Sequence, residues 1–103
     1  MNSDLWQQAE EVSDILYVLA NPVRLVMVCL LLKKERCATE LLDLVGTTKG
    51  NISQHLKLLL LKKLIRRRRD GHRIYYSIAD AHLKTIIQCL NDCYCRGHED
   101  ILY

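Results

Sequence analysis

Residues 64–78, LIRRRRDGHRIYYSI, constrain the fold of this chain more than any other stretch. Two β-prone runs flank Asp70-Gly71, a dipeptide suited to a two-residue hairpin turn because the central residues of such a turn take positive φ. Ile74, Tyr76 and Ile78 alternate with Arg73, Tyr75 and Ser77, the period-two pattern of a strand with one buried face. Arg66, Arg67, Arg68 and Arg69 cannot all point into a core, since burying an unpaired guanidinium is costly. Arg66 and Arg68 point one way and Arg67 and Arg69 the other, so the hairpin is expected to stand at the edge of the fold.

Around this hairpin the sequence has helical period. Ser3 is placed to cap a first helix, along which Leu5, Ala9, Val12, Leu16 and Leu19 follow steps of four and three, a stripe suited to packing on a partner helix. Asn21-Pro22 supplies an N-cap and a first-turn proline. The helix that follows, Val23 to about Lys33, is apolar nearly all round and is expected in the core. A short helix from about Ala38 to Leu44 ends at Gly46, and Thr48 caps the next, at about residues 49–62, with Ile52, Leu56, Leu59 and Lys63 on one side. A last helix is expected over about residues 80–95. The fold class is thus mostly α with a β-hairpin wing, in the order α-α-α-α-β-β-α, as one domain over residues 1–103. Short helix, glycine turn, helix and basic hairpin together form a winged helix-turn-helix, with the wing at about residues 64–78.

Charge agrees with this division. The net charge of +3 conceals nine basic residues against one acid between residues 49 and 73, while residues 1–20 hold four acids and no Lys or Arg. A basic middle between acidic ends is the footprint of a surface that meets a polyanion. Thr48, Lys49, Asn51, Ser53, Gln54 and Lys57 gather near the start of the helix at 49–62, outside its apolar stripe, where Gln and Asn can pair with adenine edges. Arg68, Arg69 and Arg73, near the hairpin tip, are the expected phosphate clamps. His55 lies at the edge of the apolar stripe, where a structural role is the expectation.

The longest wholly apolar run, Leu25 to Leu32, is far short of a membrane span, and no leader pattern is visible, so a cytoplasmic location is expected. Five cysteines, an odd number, argue against a disulfide scaffold and leave metal or redox chemistry. The absence of Cys-x-x-Cys, of a Gly-rich phosphate loop and of a nucleophile–base–acid set argues against an enzyme, and no cofactor is expected.

The segments LANPVRLVMVCLL, ATELLDLVGTTKGNISQHLKLLLLKKLI and RRDGHRIYYSI make the chain, over about residues 10–95, resemble the ArsR/SmtB family of dimeric winged-helix repressors. The resemblance implies a homodimer built on the first and last helices, bound to a two-fold symmetric operator in double-stranded DNA and released by an inducer. One sensing branch carries a cysteine pair at the positions of Cys37, Ala38 and Thr39, of which only Cys37 is a cysteine here. Another binds zinc at the positions of Asp80, His82, Cys93 and Arg96, where the arginine replaces a ligand. Cys29 and Cys95, 66 residues apart, match the thiol-switch subgroup typified by the BigR and SqrR persulfide sensors and by HlyU. That match implies a disulfide or polysulfide bridge formed by reactive sulfur species or oxidants. Cys95 lies about 200° from Cys93 around a helix, so the two cannot chelate together. His82, Ile86, Cys89 and Cys93, beside Leu83, Ile87, Leu90 and Tyr94, are expected to face the dimer partner. A thiophilic metal or metalloid (Zn, Cd or As(III)) held by Cys37, Cys89 and Cys93, or by Asp80 and His82, stays open as the alternative inducer. A winged module that binds protein rather than DNA is also open.

Overall fold

In the computed structural model, which describes residues 3–95, five helices pack with a small sheet. Helix α1 spans Ser3–Leu19 and α2 Pro22–Lys33. Asn21 caps α2 as its sequence suggests, its Oδ1 accepting from the backbone N–H groups of Val23 and Arg24 at 2.9 and 3.1 Å. Met27, Val28, Cys29 and Leu31 bury α2 in the core, where the expectation of a central helix is met.

Strand β1, Arg36–Cys37, had no sequence signal and corrects the expected order. Two residues between a helix end and a helix cap are too few to display a period. They pair with β3, Arg73–Ile78, which pairs in turn with β2, Ile65–Asp70, so the sheet runs β1-β3-β2 and is antiparallel throughout. The register sets Cys37 and Arg68 on either side of Tyr75. Gly71, at φ 63°, makes the hairpin turn.

Helix α3 covers Ala38–Val45 and ends at Gly46, whose left-handed φ of 76° turns the chain toward α4, Lys49–Leu61. Ile52, Leu56 and Leu59 are buried, but Lys63 does not continue their row: it follows the helix at φ 59° and is exposed. Helix α5 covers Leu83–Tyr94 and starts later than expected, because Asp80 Oδ1 accepts from the His82 backbone N–H at 2.8 Å and forms a turn instead. Leu83 and Ile87 were expected to face a dimer partner. They are fully buried in the protomer's own core, and Ile86 and Leu90 pack against it. Of the α5 residues expected to face a partner, Cys89, Cys93 and Tyr94 are the exposed ones. On α1 the expected stripe splits: Leu19 is buried, while Leu5, Val12 and Leu16 are more than half exposed. Among the described residues, no single helix is long and apolar enough to cross a membrane.

Candidate nucleic-acid interface and thiol pair

Helix α4 presents a polar, cationic start. Thr48 Oγ1 accepts from the Asn51 backbone N–H at 3.1 Å, so its side chain serves the cap. The Asn51 amide donates to Thr47 Oγ1 at 2.8 Å and holds the turn before the helix. Lys49, Ser53, Gln54 and Lys57 are exposed. Gln54 and Lys57 line one groove with Leu58, Leu60, Leu61 and Arg67. Lys49 and Arg73 belong to a second cleft, with Cys37, Glu40, Asp43 and His72. The sequence-derived interface is therefore split: one part lies between α4 and the wing, the other between α3 and the wing.

The wing arginines differ sharply. Arg68 donates from its Nε and a terminal nitrogen to the two Glu35 carboxylate oxygens at 2.8 and 2.6 Å, and its guanidinium stacks 4.7 Å from the Tyr75 ring centroid. The guanidinium holds the Glu35 carboxyl below the usual range. Arg69 donates to the Gly71 carbonyl at 3.2 Å and stiffens the turn. The Arg67 side chain has no hydrogen-bond or ion-pair partner among the described residues.

His55 is structural, as expected, but its partner was not foreseen. Its Nδ1 lies 3.2 Å from a terminal nitrogen of Arg24, a buried arginine on α2. Burial first, and the Arg24 charge second, pull the imidazole pKa below its ordinary value; because a guanidinium only donates, Nδ1 is the acceptor of this contact. Arg24 also donates to the carbonyls of Val18 (2.7 Å) and Tyr17 (3.4 Å) at the end of α1. No pattern in the sequence marks Arg24, which lies within an apolar helix.

The cysteines fall into three groups. Cys37 caps α3 and its thiol donates to Glu40 Oε1 at 3.3 Å. The Cys37 backbone N–H, then this thiol, hold the Glu40 carboxyl below its usual pKa. Cys89 and Cys93 sit one turn apart on the exposed face of α5, and a hydrogen bond with Cys89 raises the Cys93 pKa. Cys29 is buried on α2, while Cys95, half-buried, ends α5. Burial chiefly raises the Cys29 pKa, and Lys33 lowers it. Among the described residues no three His, Cys, Asp or Glu side chains gather as a metal site, so Cys37 is not brought to Cys89 and Cys93. Asp80 and His82 form a hydrogen-bonded pair at 3.1 Å, while Arg96 lies outside the described residues.

A helix-turn-helix with a hairpin at the sheet edge defines this chain as a winged helix-turn-helix protein. Residues 21–66 match the model of the bacterial regulatory protein, arsR family. The chain is 37% identical over 82 residues to the arsenical resistance operon repressor of Staphylococcus aureus, across 80% of this chain and 79% of that one. It superposes on NolR from Sinorhizobium fredii with a TM-score of 0.86 at 32% identity, covering 91% of this chain and 94% of the other. Reduced HlyU from Vibrio cholerae gives 0.82 at 26%, covering 90% and 98%. The chain belongs to the ArsR family. It spans 64% of the length of the SmtB homologue of Synechocystis and 55% of SmtB of Mycobacterium tuberculosis, which it also matches.

Proposed function

We propose that this chain is a cytoplasmic transcriptional repressor that binds a two-fold symmetric operator as a homodimer and leaves it when Cys29 and Cys95 become bridged. The observation that supports the switch is placement: α5 packs on α2, which carries the buried Cys29, and the half-buried Cys95 closes the end of α5. Burial keeps Cys29 protonated at neutral pH, which suits a resolving thiol, and the more accessible Cys95 meets the reagent first. The Cys95 thiolate attacks the outer sulfur of an organic persulfide, RS–SH, giving Cys95–S–SH and the thiolate RS⁻. The Cys29 thiolate then attacks the inner sulfur, forming Cys29–S–S–Cys95 and expelling hydrosulfide. The bridge ties the end of α5 to α2. Because the exposed stripe of α1 and the exposed side of α5 are the surfaces we assign to the dimer, the tie changes the spacing of the two α4 helices on DNA.

The test uses the tightest duplex that the purified protein selects from a random-sequence pool. Treatment with glutathione persulfide weakens binding by the wild type and spares Cys95→Ser and Cys29→Ser; unchanged binding by the treated wild type ends this reading. A second reading, release by a thiophilic ion, draws on the Cys89–Cys93 contact, with a third ligand from the partner protomer. Cadmium added to anaerobic protein would then give a thiolate charge-transfer band that Cys89→Ser abolishes.

A further inference from the structure

We infer that Arg67, and not its neighbour Arg68, is the wing arginine that holds a DNA phosphate beside the recognition helix, while Arg68 is a positioning residue that sets the wing. This assignment of residues rests on the DNA-binding reading above.

Strand parity separates the two arginines. Directly opposed residues of an antiparallel pair share a face, so Arg67 lies with Tyr76 and Arg68 with Tyr75. Tyr76 is buried in the core, so its face is the one that meets the helices. Arg67 accordingly lines the groove with Gln54 and Lys57, the exposed polar residues of α4. Among the described residues, Arg67 and Lys57 are the only charged ones lining that groove. A phosphate there would meet two free cations while Gln54 faces the bases.

Arg68 lies on the opposite face with its guanidinium already committed. It crosses over Tyr75 of β3 to reach Glu35, at the mouth of β1, and so spans all three strands. Asp70, 3.8 Å away, adds a second carboxylate. To bind DNA, Arg68 would have to surrender two charge-assisted hydrogen bonds and its stacking on the ring. Its chemistry is that of a clasp: it fixes β2 to the segment leading from α2 and thereby sets where Arg67 points.

The test is the salt dependence of binding to the selected duplex. Removing one phosphate interaction lowers the slope of log affinity against log salt by about 0.9. Arg67→Gln is expected to lower the slope by about 2 for a dimer, and Arg67→Lys to restore it, because the interaction needs charge. Arg68→Gln and Glu35→Gln are expected to weaken binding by similar factors, at most about fivefold, with the slope unchanged. The double variant should be no weaker than either alone. A lowered slope for Arg68→Gln with an intact slope for Arg67→Gln overturns the assignment and leaves the DNA reading standing. No salt-dependent duplex binding by the wild type removes that reading, and the assignment with it.

Discussion

His55 shows what one imidazole can report. In the folded chain its pKa is depressed by burial and by Arg24, while in the unfolded chain it titrates near its ordinary 6.5. The unfolded state therefore binds the extra proton more readily. The stabilisation is complete above that ordinary value and is lost as pH falls through the folded pKa. Melting followed by circular dichroism should show wild type losing more stability between pH 7.5 and 5.5 than His55→Gln, whose amide oxygen still accepts from Arg24. Cys29 makes an opposite prediction, for rate. Because burial lifts its pKa further above 9.0, bridge closure should accelerate about tenfold per pH unit from 6.5 to 8.5, read by mass spectrometry of alkylated protein. Residue identity was partly legible in the sequence: Lys49, Gln54 and Lys57 stood outside an apolar stripe and are exposed on α4. The Arg68–Glu35 clasp was not, because it joins residues 33 apart and the strand beside Glu35, β1, is too short to show a pattern.

At the scale of elements, capping and turn chemistry could be read locally. Thr48 and Asn21 cap the helices that their positions predict, and Gly46 and Gly71 take the left-handed conformations their turns demand. Thr48→Ala should cost about 1 kcal/mol in urea unfolding, since it leaves the Asn51 N–H without its acceptor. Leu59→Ala, in the fully buried row of α4, should cost about 2–5 kcal/mol. Period could not decide which neighbour a helix face meets. Leu83 and Ile87 have the spacing of an interface stripe, yet α5 lies on α2 and draws them into the protomer's core. The helix faces were thus legible as apolar, but their partners were set by packing among distant segments.

For the whole molecule, the exposed α1 row of Leu5, Val12 and Leu16 is a surface that a lone protomer leaves in water. As the proposed dimer surface it makes stability depend on concentration. Leu16→Glu should yield a monomer in sedimentation and a melting temperature that no longer rises with protein concentration; a dimer that persists would move the interface elsewhere. The same variant should lose most of its affinity for a two-fold duplex while each protomer keeps its fold.

Buried Arg24 ties together parts far apart along the chain. One guanidinium supplies the hydrogen bonds for two carbonyls at the end of α1 and for an imidazole on α4. Neither helix can then fray alone: opening the last turn of α1 frees the grip on His55, and loosening α4 returns the favour. Hydrogen exchange should find amides near Leu19 and near His55 opening with one shared rate, as two doors hung on a single hinge.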